Sequence, residues 1–380
     1  MLLQPEPALG DSLTYDVTAW ALPYVYGLTG MALDSPLATR SPTPTEVAAP
    51  EARRPYAYVA RWDGPGDAAF LARLLREGVG VRVVPVPFEA SGEAFGRGSL
   101  LITRAGNARL GARFDSTVAR VARDEQRSLT ALQSGFIADG IDAGSNQVGF
   151  LRAPRVAVLA DSPVSSTALG EIWSLFDQTW TYPLTLLGAP AFDTADLDDH
   201  DVLILPDGGY GSWLTDARAS SLRDWVRAGG RILALERAAL ALGRKDGYGL
   251  TARDAPEADS SAEARLRRYA DRARDRASGA NPGAVFRVAL DDSHPLAYGY
   301  PDWMYVLKRR TASVDYLARG WNVGALRSGE PVAGFTGTEA QARLEDSLVF
   351  GVENMGRGHV IYLLDSPIFR GFWRDGELLI

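Results

Sequence analysis

Apolar residues in this chain gather in short runs, and the spacing within each run names the element it builds. After a mixed start, regular patterning sets in at Tyr56. Residues 56–60 read as a short strand, and 67–77 as an amphipathic helix with Phe70, Leu71, Leu74 and Leu75 on one stripe and Gly78 as C-cap. Strands follow at 81–85 and 99–103, and a long polar helix is expected over 114–132.

A second α/β pattern begins after Pro154. The uninterrupted apolar run 155–160 is what a strand covered on both faces requires. A helix over 165–176 comes next, with Ser165 or Ser166 as N-cap and Glu171 in its interior. The apolar run 201–206 leads into the glycine-rich turn 207–211; a helix spans 217–228, Gly229-Gly230 stops it, and 231–236 is a third buried strand. This alternation predicts a doubly wound sheet. Residues 253–280 read as a solvated helical insertion ended by Pro282-Gly283, while 284–290, 303–307, 332–335, 347–351 and 359–364 are strand-like and extend the sheet or form an edge β-layer.

Three regions are therefore expected. Residues 1–50 form a tail and a Pro/Thr/Ser linker, 51–150 a small α/β domain, and 151–380 a larger α/β domain with the insertion at about 253–280. The aromatic residues Tyr15, Trp20, Tyr24 and Tyr26 in the tail are expected to pack on the α/β body or on a domain upstream.

Composition narrows the function. A formal net charge of -7 over 380 residues makes nucleic acid a poor partner. The absence of cysteine excludes disulfides, Cys-ligated zinc and a thiolate nucleophile, but does not define a compartment. The first residues lack a signal-peptide pattern and no run of about 18 apolar residues occurs, so no membrane span is expected. His200, His294 and His359 carry no H-x-x-E or H-E-x-x-H spacing, and no G-x-S-x-G or phosphate-loop motif is present; Gly211-Ser212-Trp213 reads as a turn.

Residues 154–236 resemble a class I glutamine amidotransferase-like domain, a flavodoxin-like three-layer sandwich whose nucleophilic cysteine sits at a strand-to-helix turn. The corresponding turn is Ala234-Leu235-Glu236-Arg237-Ala238, with Glu236 or Arg237 at the nucleophile position. Neither side chain can perform thiolate acyl chemistry. On a wider scale, Asp11 to Pro23, Gly170 to Gln178, His294 to Tyr300 and Ser366 to Trp373 resemble the C-terminal region of large bacterial zinc carboxypeptidases. That resemblance implies a pseudoenzyme-like accessory region. Zinc and the removal of C-terminal residues would belong to a peptidase domain upstream, the location would be secreted or periplasmic, and the chain would be a fragment.

The function expected from these readings is therefore non-catalytic: packing on a peptidase domain, or binding a peptide or glycan, with no cofactor in this chain. The alternative is a stand-alone hydrolase or small-molecule binder using non-cysteine groups, for which Glu171, Asp207, Glu236 and His294 are the candidate acid/base residues. A ligand crevice is expected where three turns follow three apolar strands, formed by Asp161, Ser165, Ser166, Asp207, Tyr210, Glu236 and Arg237.

Overall fold

The computed structural model describes residues 22–31, 33–35, 54–194, 196–253 and 261–380. A one-turn helix α1 (Leu22–Val25) precedes the small unit, which comprises β1 (Ala57–Ala60), α2 (Pro65–Arg76), β2 (Arg82–Val83), the hairpin β3 (Phe88–Ala90) and β4 (Glu93–Phe95), β5 (Leu100–Thr103), α3 (Phe114–Asp124), β6 (Thr130–Leu132) and β7 (Gly149–Phe150). Its sheet runs β6-β1-β5-β2-β7 with antiparallel pairing throughout. Every residue of β1 and β5 is buried, because α2 and α3 cover one face and the hairpin with the loop after β6 covers the other.

The expected helix over 114–132 is too long. It ends at Asp124, Gln126 turns left-handed at φ 54°, and Thr130–Leu132 becomes an edge strand on β1. The Arg127 amide closes the helix on the Ala122 carbonyl and its guanidinium reaches the buried Asp67, so tertiary partners outweigh the helix propensity of this polar stretch.

The larger unit contains β8 (Val156–Ala160), α4 (Ser166–Ser174), β9 (Leu184–Gly188), β10 (Val202–Leu205), α5 (Asp216–Ala228), β11 (Arg231–Leu235), α6 (Arg237–Gly243), α7 (Ala262–Arg265), α8 (Arg272–Ser278), β12 (Gly283–Leu290), β13 (Trp303–Lys308), β14 (Trp321–Leu326), β15 (Ala333–Phe335), α9 (Thr338–Leu344), β16 (Ser347–Met355) and β17 (Gly358–Leu363). Its sheet follows the order β13-β12-β14-β16-β17-β11-β10-β8-β9, with β15 beside β12. The half from β9 to β17 is wholly parallel. Numbered within that half, its order is 2-1-3-4-5, the flavodoxin-like doubly wound order. The half from β16 to β13 is antiparallel, a β-rich extension as the sequence suggests.

Helix α4 seals one face of the parallel half through Ile172, and α5 and α6 seal the other through Leu222, Val226, Ala239 and Leu242. The result is a three-layer α/β fold. Strands β9 and β14 were not expected from the sequence: β9 has no fully buried residue and is broken by Thr185, and β14 opens with exposed polar and aromatic residues, so neither shows a plain apolar run. The 253–280 insertion contains the short helices α7 and α8 where it is described, and residues 254–260 lie outside the described residues. Tyr15 and Trp20 lie outside them as well. Of the other two tail aromatics, Tyr24 stacks edge-on to Tyr305 at 4.9 Å, whereas Tyr26 is exposed. Val25 is buried beside Trp373 and Phe369.

Candidate functional site

At the carboxyl ends of the parallel strands, β11 leads directly into α6 through a single residue. Glu236 occupies this elbow at φ 48° and ψ −113°, a backbone conformation uncommon for a residue with a side chain. Its amide continues the ladder by donating to the Leu363 carbonyl at 2.7 Å, and the strain persists because strand and helix are both packed.

The Glu236 residue is only 5% exposed, and its Oε1 accepts from Arg309 at 2.9 Å and from Arg310 at 2.7 Å. Asp207, at the end of β10, accepts from the Arg237 backbone and from its Nε and Nη2, the last at 2.9 Å. Arg310 also donates to Asp207 at 2.9 Å, so one guanidinium ties the two carboxylates together. Burial drives the Asp207 carboxyl up, but Arg237 and Arg310 outweigh burial and hold it below the usual range. For Glu236 the balance is reversed. Burial and the Asp207 charge push it up to about 7 against the pull of Arg309 and Arg310.

The cluster extends inward. Lys308, 2% exposed, pairs with Asp365 at 2.6 Å, and the Arg309 guanidinium lies 4.2 Å over the Phe369 ring. Asn281 holds the carbonyls of Lys308 and Arg310 at 3.2 Å each, which sets the path of the chain leaving β13. Glu171 joins α4 to the same region by accepting from the Ser366 hydroxyl and the Arg370 amide; burial raises its carboxyl. Sequence reading missed Lys308, Arg309, Arg310 and Asp365. The available signal was three consecutive cations directly after the apolar strand 303–307, where burial demands counter-charges.

The structure thus brings Asp207, Glu236 and Arg237 into one ion-paired cluster. The turn after β8 sits beside it but is laced shut. Val164 bridges Gly208, the Ser165 amide donates to the Asp207 carbonyl at 2.9 Å, and the Gly209 amide donates to the Pro163 carbonyl at 2.8 Å. Ser165 is the N-cap residue of α4, Ser166 opens that helix, and Asp161 is an exposed turn residue at φ 63°. Tyr210 is buried, and its hydroxyl donates to the Pro206 carbonyl at 2.8 Å. The open space lies instead on the α6 side of the glycine turn, a cleft of about 470 Å³ between Gly208–Gly211 and Arg237 of α6 with Arg244 and Lys245 just after that helix. Lys245 is paired with Asp216 at 2.8 Å, while Arg244 is exposed and has no ion-pair partner among the described residues.

His294 accepts a backbone hydrogen bond from Leu296 at 3.2 Å, as a loop histidine before a proline commonly does. Among the described residues, no group of three histidine, aspartate or glutamate side chains is arranged to hold a metal. No helix among them is long and apolar enough to cross a membrane.

No family model matches the chain. No curated protein matches it either. Several solved structures share part of its architecture. A glutamine amidotransferase from Thermotoga maritima is 10% identical over 57% of this chain and 76% of its own, with a TM-score of 0.38. A protein described as ThuA-like from Bacteroides uniformis is 13% identical over 62% of this chain and 92% of its own, with a TM-score of 0.33. A β-galactosidase from Bacillus circulans is 12% identical over 76% of this chain but 35% of its own, with a TM-score of 0.33. At such scores these likenesses carry no argument, and the fold rests on the strand order of the chain itself.

Proposed function

We propose that this chain is a non-catalytic binding module built on the amidotransferase-like fold. One observation carries the reading: the elbow between β11 and α6 holds Glu236, buried and paired with Arg309 and Arg310, where acyl chemistry would need an exposed nucleophile beside a base. The neighbouring cleft supports binding of a carboxylate such as a peptide C-terminus. It combines the backbone of the glycine turn Gly208–Gly211 with the exposed cation of Arg244 and the edges of Arg237 and Lys245.

The resemblance of residues 11–23, 170–178, 294–300 and 366–373 to zinc carboxypeptidases supports the narrower reading of an accessory region working beside a peptidase domain. The described residues of this chain do not fit a zinc site, so no metal-dependent step is derived from them. A second reading has one observation in its favour. A carboxyl held near pH 7 at a strained turn suits an acid/base catalyst, which would make the chain a hydrolase through Glu236.

Calorimetric titration of short peptides with free or amidated C-termini separates the two. The binding reading expects a carboxylate-dependent affinity that falls at least about fivefold in Arg244→Ala, with no product formed. Hydrolysis of glutamine or peptide by the wild type that disappears in Glu236→Gln would establish the second reading and overturn the first.

A further inference from the structure

A second polar groove lies far from the ion-paired cluster. Arg231 opens β11 and Glu236 follows its last residue, so the two ends are separated by roughly 16 Å at about 3.3 Å per residue. At the amino end, four adjacent strands present one continuous face. Trp321 of β14 is in register with Val352 of β16, Val352 with Ile361 of β17, Asn354 with His359, and His359 with Arg231. Directly paired residues share a face, and the loop carrying Asp291 and His294 walls one side. The groove is open to solvent and measures about 510 Å³.

Its chemistry is of two kinds. The floor is apolar, with Val352 and Ile361, and the indole of Trp321 stands 54% exposed beside them with the His294 ring 6.1 Å away. A large exposed aromatic next to a second ring offers a flat apolar platform without an occupant among the described residues. Around it, polar groups of both senses remain unused. His294 Nδ1 accepts from the Leu296 amide, which leaves its Nε2–H as a donor. His359 Nδ1 bonds Asn354 Oδ1 at 3.0 Å; with that proton on the imidazole, His359 Nε2 is an acceptor and the Asn354 amide nitrogen a donor. Asp291 uses Oδ1 for Ser293, so Oδ2 stays open, and Arg231 has no ion-pair partner among the described residues. The lining holds one guanidinium and one carboxylate, and burial holds both histidines toward their neutral forms.

We infer that this groove binds a neutral pyranosyl saccharide, its C–H face on Trp321 and its hydroxyls on Arg231, Asp291, His294, Asn354 and His359. A hydroxyl donates and accepts at once, so it matches an array that supplies both, and the balanced charge disfavours an anion. The inference is independent of the function proposed for the cleft near Arg244.

The test is titration of the full chain with neutral gluco-, galacto-, manno- and N-acetylglucosamine oligosaccharides, followed by calorimetry and tryptophan fluorescence. At least one series is expected to bind with a Kd of about 0.1–1 mM. Trp321→Ala and His294→Ala should each weaken it at least about tenfold, Trp321→Phe by no more than about threefold, and Arg244→Ala should leave it unchanged. Trp321 is exposed, and circular dichroism verifies that its variants fold. No binding of any neutral series at roughly 10 mM would overturn the inference. So would binding indifferent to both Trp321→Ala and His294→Ala, or a preference for uronates or aromatic acids.

Discussion

At Glu236 three influences oppose one another. Burial and the Asp207 charge favour the protonated carboxyl, while Arg309 and Arg310 favour the charged one, and the net effect lifts its titration to about 7. In an unfolded chain a glutamate titrates near ~4.3. Between these values the folded state holds more proton, so this group's contribution to stability is present at low pH and is lost as pH rises through about 7. Glu236→Gln cannot titrate. The variant should therefore gain on the wild type by about 1–3 kcal/mol between pH 5 and pH 8, measured by urea unfolding at several pH values. A difference that stays constant with pH would show that the arginines keep Glu236 ionised throughout. Asp207 has the opposite sign: Arg237 and Arg310 hold it low, so its contribution survives at neutral pH and fades only in acid.

Among the elements, the lacing of the turn after β8 to the turn after β10 determines where the cleft can open. Gly208 makes that lacing possible, since a β-carbon there would lie 2.4 Å from the Pro163 carbonyl oxygen and 2.9 Å from the Val164 Cα. Gly208→Ala must push the two turns apart, and a cost of about 2–3 kcal/mol is expected in chemical denaturation. Gly209 meets nothing within 4 Å at the same position, so Gly209→Ala should stay within about 0.5 kcal/mol and serves as the control. Equal effects at the two sites would mean that the turns are not held together in solution. The same lacing explains why Ser165 and Ser166 do not line the cleft although they follow the first strand of the unit.

On the scale of the whole molecule, the two α/β units meet at Trp62. Its Nε1 donates to the Tyr298 carbonyl at 3.1 Å, and the Tyr298 hydroxyl returns to the Pro85 carbonyl at 3.3 Å. Gly98 at φ 88° and Gly299 at φ 91° let both backbones approach the indole, where a β-carbon would come within 2.8 Å and 3.0 Å of its Cδ1. Arg97 and Asp292 add an exposed pair worth little. Trp62→Ala should cost about 2–3 kcal/mol and split a single unfolding transition into two, followed by fluorescence and far-ultraviolet circular dichroism together. Coincident transitions in the variant would show that the joint does not couple the units. The Arg97–Asp292 pair makes a poor substitute probe, being screened by salt.

The sequence alone determined the elements whose burial is complete on both sides. β8, β10 and, after the exposed Arg231 that opens it, β11 are apolar runs because a strand sandwiched between helix layers has no polar face, and those runs, with the helices between them, already specify the doubly wound core. It also excluded thiolate chemistry and placed Glu236 at a strand-to-helix turn, since both follow from residue identity and local order. What depended on contacts distant along the chain was decided by the tertiary structure alone. Gln126 ends a helix because Arg127 finds Asp67, β9 and β14 form because neighbouring edges were open to pair, and Arg309 and Arg310 reach Glu236 across more than seventy residues. The same holds for the saccharide groove, whose residues come from β11, β14, β16, β17 and one loop. No local pattern could announce it, because each residue is ordinary in its own segment and acquires a role only when the sheet sets them side by side.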